Sequence, residues 1–242
     1  MGGLAGGWRP PRLVAETRLA EHDAGSFPPG PIPLLLAPRT VEVRIDLVFR
    51  ATTPAVDLCA IVDDETRRRL EPLGAHHVEQ SGWAEGEVVV DGRRFRFTGT
   101  GSRDHSFGRR DWDAADHWGL FTMRLGDDLA LHALAVCVRG RMVEGGFLWR
   151  EGRLERVTRV EHAWEDVEGR PRAVDLEIST EAGPPLHVRG TVLSTVSVPV
   201  QPERRLRRHL AGRPWRLVLD ESFTRYEGAG RTGFGIAERA RR

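Results

Sequence analysis

The sequence predicts an all-β protein, an antiparallel up-and-down meander of about ten strands. Three observations carry this expectation. Apolar and charged residues alternate with period two, most clearly along Val41–Phe49. From about Trp83 onward, turn signals recur every eight to fourteen residues, often as a residue followed by Gly. Helical patterning is confined to Gln201–Leu210, with Pro202 in its first turn and Gly212 and Pro214 after its end. Such a meander leaves no free edge when it closes, so a barrel or a curled sheet is expected.

Residues 1–40 are rich in Gly and Pro and weakly patterned, and the Pro28–Pro33 run reads as a connector. Val41–Phe49 is a half-buried strand, and the apolar run Val56–Val62 reads as a second, shorter one. Asp63–Leu70 reads as a loop or a single helical turn with a solvated Arg67-Arg68-Arg69 surface. Glu87–Phe97 is a hairpin, because Asp91-Gly92 supplies the left-handed pair of a type I′ turn. Further strands are expected at His117–Leu125, Leu129–Val138, Met142–Trp149, Leu154–Trp164, Ala173–Thr180, Leu186–Val198, Trp215–Tyr226 and Gly233–Glu238. The division expected is a partial N-terminal β domain over 1–80 and a complete barrel over 81–242. The apolar face of Val43, Ile45, Leu47 and Phe49 must be covered, either by the barrel or by a second copy of the chain in a homodimer.

Composition narrows the function. Among 242 residues there is no Lys, so all 36 cations are Arg, and there is no Asn. That excludes a Schiff-base lysine, a pyridoxal-phosphate lysine and a Walker A loop, and it excludes N-glycosylation. A net charge of +1 gives no field for nucleic acid or an anionic membrane. No apolar run is long enough for a transmembrane segment. Cys59 and Cys137 lie far apart in apolar runs and read as buried free thiols, and the first residues lack the pattern of a signal peptide, so a cytoplasmic location is expected.

One segment concentrates chemistry, from Gly99 to Trp112. It carries Arg103, Asp104, His105, Ser106, Arg110 and Asp111 between two strands. A carboxylate beside His105 would fix its tautomer and raise its basicity, giving an acid/base pair at a barrel mouth. The same residues read equally as an architectural lock, with Gly99, Gly101 and Gly108 permitting tight turns and Arg–Asp pairs, Arg110 and Asp111 among their members, bracing the crossover. No spaced ligand set such as HExxH is present, so no metal and no other cofactor are expected.

His77-Val-Glu79-Gln80, the Gly99–Trp112 block and the ending Arg225-Tyr226 to Glu238 are similar to a bacterial family related to hydroxyneurosporene synthase, the carotenoid hydratase. The wider superfamily includes tocopherol cyclase. The resemblance covers residues 40–240 and implies lipocalin-like barrels with an apolar cavity beside the Asp-His block. Phe107 stands where that family usually has Trp.

The function expected is a cofactor-independent hydratase, dehydratase or cyclase acting on an apolar small molecule such as a terpenoid, polyketide or lipid. Asp104 and His105 are the expected proton carriers and Arg103 tunes their charge, while Phe107, Trp112, His117, Trp118 and His132 contact the ligand. Aromatic faces there would stabilise a developing carbocation. The rival expectation is a non-catalytic carrier of a hydrophobic ligand, in which the same cluster only braces the loop.

Overall fold

The computed structural model describes residues 12–20, 40–199 and 217–241. The Pro28–Pro33 connector and the helix expected at Gln201–Leu210 lie outside the described residues. Thirteen strands are described: β1 Arg12–Ala20, β2 Thr40–Ala51, β3 Val56–Asp57, β4 His76–Val90, β5 Arg93–Phe107, β6 Ala115–Leu125, β7 Leu129–Val138, β8 Arg141–Arg150, β9 Arg153–Val167, β10 Arg170–Thr180, β11 Leu186–Pro199, β12 Val218–Gly228 and β13 Arg231–Arg241.

The fold is all-β, in two sheets. Strands β6 to β13 run up and down in sequence, and β13 pairs with β6 to close an eight-stranded antiparallel barrel. The lipocalin-like expectation is met by this barrel. The period of two puts Phe121, Met123, Leu131, Val174 and Tyr226 inside it, all at most 2 % exposed. Eight strands leave an interior that side chains can fill, and here they do. The alternate residues of β6, among them Trp118 and Leu120, therefore point outward.

The second sheet is β1, β2, β4 and β5 in that order, with β3 continuing along β4 beside the end of β2. The hairpin turn at Asp91 and Gly92 has φ 44° and 76°, the expected type I′ signature. Both arms of that hairpin pair with this sheet rather than with the barrel. The change of sheet thus falls between Phe107 and Ala115, not at residue 80.

Two expectations near β3 are corrected. The run Val56–Val62 is strand only at Val56–Asp57, after which Asp57 accepts from Cys59 N at 3.0 Å and caps a short helix, α1 (Leu58–Ile61). Asp63–Leu70 is a complete helix, α2 (Asp64–Leu70), capped by Asp63. Its Arg67 and Arg69 pair with Asp64 and Glu65 on the solvent side. Both helices serve the layer contact. Leu70 packs on Trp118, Leu120, Val136 and Val143, while Leu58 packs on Phe147, all from the barrel's outer wall. Both helices thus join the N-terminal layer to the barrel, while on β2 Val43 is buried and Ile45, Leu47 and Phe49 are half-buried. Cys59 and Cys137 are buried and are not joined in a disulfide, and no described helix is long and apolar enough to cross a membrane.

Candidate functional site

Register on the β4–β5 hairpin decides which polar groups meet. Glu79 pairs directly with Asp104, His77 with Ser106 and Ser81 with Ser102. Cross-strand partners share a face, and neighbours on one strand point to opposite faces. Asp104 therefore joins His77 and Glu79 on the face turned to the barrel, while Arg103, His105 and Phe107 turn away.

This corrects the expected acid/base pair. The Gly99–Phe107 segment is continuous strand rather than a loop, so Asp104 and His105 cannot share a face. His105 is exposed and lies 5.1 Å from the Phe107 ring, which in turn stacks on His76 at 4.5 Å. The imidazole that serves Asp104 is His77. Its Nε2 lies 2.9 Å from Glu79 Oε1 and 3.4 Å from Asp104 Oδ1.

Charge follows from that geometry. Burial opposes a charge on His77, but its hydrogen bonds to Asp104 and Glu79 outweigh it and push its pKa up to about 9. Burial likewise opposes the Asp104 charge. His77, Ser106 Oγ at 2.9 Å and the charge of Arg110 together hold Asp104 below its usual range. Glu79, only 1 % exposed, is also held low, because the imidazoles of His132, 3.0 Å away, and His77 outweigh the cost of its burial.

Across the gap between the layers stands a second acidic pair. Glu221 on β12 and Glu238 on β13 are direct register partners on the barrel's outer face. Burial and the neighbouring Glu221 charge push Glu238 up to about 8, although Trp118 Nε1 donates to its Oε1. Glu221 is raised as well, first by burial. Burial and mutual repulsion thus make ionising both carboxyls costly.

The two polar poles face one cavity of about 460 Å³ between the layers. His77, Asp104 and Ser106 line it from the sheet, Glu221 and Glu238 from the barrel, and the remaining wall is largely apolar. Along one side Arg110 lies over Trp112 at 4.8 Å, and Trp112 stacks on Trp118 at 5.5 Å. The cavity is outside the barrel, whose interior is packed.

Of the other expected site residues, Trp112, Trp118 and Arg110 line this cavity. Phe107, His117 and His132 do not. His117 is exposed, and His132 is fully buried behind Glu79. Asp111 has a structural part: it caps the turn Trp112–Ala114, and its N–H donates to Pro72 O at 2.6 Å. Gly108 has φ 111° and a Cβ position 2.8 Å from Ala75 N, a conformation and closeness that favour glycine. Nothing lies within 4 Å of a Cβ at Gly99, and Gly101 has only ordinary contacts at 3.4 Å or more.

Sequence reasoning missed His77, Glu79, Glu221 and Glu238 as site residues. The available signal was the polar run of alternate residues His77, Glu79 and Ser81 on a strand, where the inner face should be apolar.

His77, Glu79 and Asp104 offer ligand atoms all within 4.8 Å of one another, a set that could hold a metal ion. An ion bound at this set would have to displace the proton that the two neighbouring carboxylates favour on His77.

The molecule is therefore a two-layer β protein in which an eight-stranded barrel, closed by its own strands, supports an acidic cavity on its outer wall. The chain belongs to the family described as a domain of unknown function, DUF7064, whose model matches residues 16–242. No curated protein sequence matches it. Among solved structures it is similar to a protein described as an AttH from Nitrosomonas europaea, with 14 % identity and a TM-score of 0.55, over 95 % of this chain and 65 % of that one. It is also similar to kievitone hydratase from Nectria haematococca, with 13 % identity and a TM-score of 0.49, over 82 % of this chain and 61 % of that one. The chain thus spans under two thirds of both structures, and the first likeness bears on the fold alone.

Proposed function

We propose that this protein is a cofactor-independent acid/base enzyme on an apolar small molecule, catalysing hydration, dehydration or cyclisation. The observation that carries the reading is the pair of opposed titratable poles in one largely apolar cavity. The Glu221–Glu238 pair supplies the proton. It protonates a carbon–carbon double bond, or a hydroxyl that leaves as water. The cation so formed is bounded by the Trp112 and Trp118 ring faces, which stabilise positive charge. On the opposite wall the Asp104 carboxylate, hydrogen-bonded to His77, takes a proton from the attacking water or from the adjacent carbon.

A volume of about 460 Å³ sits in the lower half of small-molecule pockets, which run from ~300 to ~1,000 Å³. That size favours a terpenoid, polyketide or fatty-acid derivative of modest length. The experiment is incubation of the protein with a panel of such alkenes and alcohols in deuterated water, read by mass spectrometry. Solvent deuterium fixed on carbon by the wild type, and lost in Glu238→Gln, is the expected result. Native mass spectrometry showing a co-purified apolar ligand that stays unchanged in every incubation would establish a carrier instead.

A further inference from the structure

Next to the acidic cavity lies a smaller chamber of about 170 Å³ between the same two layers. The strand register sets the two end to end. On β6 Leu120 lines the first, and Thr122 and Arg124 line the second. On β13 Glu238 is followed by Ile236, on β12 Glu221 by Phe223, and on β5 Asp104 by Ser102. Positions two apart on a strand share a face, so on these four strands no residue of the lining face intervenes between the chambers.

Arg124 sets the character of the smaller chamber. It is only 6 % exposed, and its guanidinium lies over the Trp83 ring at 5.1 Å. Its Nε donates to Gly126 O at 3.1 Å, one terminal nitrogen donates to Asp127 O at 2.6 Å, and the other donates to Thr52 Oγ1. None of these acceptors is charged, and each terminal nitrogen keeps a second N–H. The carboxylates acting on Arg124 are Asp127, which is 90 % exposed and 3.9 Å away, and Asp128, which is paired with Arg231. Burial therefore pulls the Arg124 pKa down, although an arginine stays charged at neutral pH. A buried cation without a buried counter-charge is costly, and tying the β6–β7 turn through carbonyls needs no charge.

We propose that the smaller chamber is a carboxylate subsite: the ligand of the acidic cavity is an apolar acid, with its chain beside Trp112 and Trp118 and its carboxylate on Arg124, near the Ser102 and Thr122 hydroxyls. The inference deepens the reading above, on which it rests for the apolar cavity, by naming the class of ligand. Leu120 is the register partner of Glu238, and Arg124 is four residues further along the same strand. At the rise of an antiparallel strand this separation is about 14 Å. The glutamate pair therefore meets the chain about that far from its acid group, which selects a long-chain or terpenoid acid over a short one.

The experiment is equilibrium dialysis of the full chain at pH 7 with dodecanoate and with dodecan-1-ol, which share a chain length and differ in the charge of the head. Dodecanoate is expected to bind about tenfold more tightly, the yield of one charge-assisted contact. Arg124→Gln removes the cation, and Ser102→Asp sets a competing carboxylate in the chamber while sparing the groups that Arg124 bonds. In each variant dodecanoate is expected to weaken about tenfold, with dodecan-1-ol unchanged. If Arg124→Gln does not fold, Ser102→Asp decides alone. Equal binding of both probes to the wild type, or a preference for dodecanoate that survives in the folded variants, overturns the proposal and leaves Arg124 as a tie for the β6–β7 turn. Binding of neither probe overturns it together with the apolar-ligand reading. A preference for the acid lost in the variants, with no deuterium fixed on any compound of the panel, upholds the subsite and refutes the acid/base reading, leaving a carrier of apolar acids.

Discussion

Glu221 and Glu238 stand opposite each other on adjacent strands of the barrel, with side chains on the outer face and Trp118 Nε1 donating to Glu238. The relationship makes a proton part of the folded structure. Glu238→Gln keeps the shape and can still accept from Trp118, but it cannot give up a proton. The expected outcome is loss of deuterium incorporation by at least 100-fold, in line with the ~10²–10⁴ typical of general acid catalysis, with unchanged ligand retention by native mass spectrometry. Retained incorporation would move the acid role to His77.

The same groups set a pH profile for stability. His77 is raised from 6.5 to about 9 on folding, so its contribution is complete below pH 6.5 and is lost as pH climbs through 9. Glu238 is raised from 4.5 to about 8, so its contribution drains over that window. Glu79 and Asp104 are lowered, so theirs is present above their ordinary values and lost in acid. The melting temperature should therefore peak near pH 5–6 and fall steadily towards pH 9. In Glu238→Gln the alkaline fall should be shallower, and the variant should become the more stable protein above about pH 8. Differential scanning calorimetry across that range decides it; a flat wild-type profile from pH 6 to 9 contradicts the buried charge assignments.

A pair of glycine variants separates strain from tolerance in the segment that follows the site. Gly108 holds φ 111° with Ala75 N close to its Cβ position, so Gly108→Ala should cost roughly 1–3 kcal/mol. Gly99 has open space at its Cβ and no left-handed φ, so Gly99→Ala should be neutral within about 0.5 kcal/mol. Urea unfolding of the two variants measures the contrast directly.

The barrel was legible because each strand alternates cleanly and most turns announce themselves with a glycine. Leu129–Val138 was bounded to the residue, and the other barrel strands to within a few. Strand β1 was not legible. Its exposed Leu13 and Val14 lie at a sheet edge, where burial does not impose a regular alternation. The run after Val56 misled because a short apolar stretch fits a strand or a buried helix equally, and only the Asp57 cap distinguishes them. At the site, Asp104 was found by its crowded neighbourhood, but consecutive residues were joined into a pair that a strand must separate. Glu221 and Glu238 are seventeen positions apart, and only the β12–β13 register brings them opposite each other.

The contact between layers gives a final prediction. Leu58 and Leu70 cover Phe147, Trp118, Leu120 and Val136 on the barrel's outer wall, and burying each large side chain is worth ~1.5–3 kcal/mol. A fragment of residues 81–242 lacks both helices and severs β4 at Ser81, removing His77 and Glu79 while leaving β5 without part of its partner strand. It should expose that apolar wall, bind a hydrophobic dye and aggregate, and lose ligand retention with it. A soluble, monomeric fragment of undiminished melting temperature would show that the barrel is stable alone and that the N-terminal layer serves the cavity only.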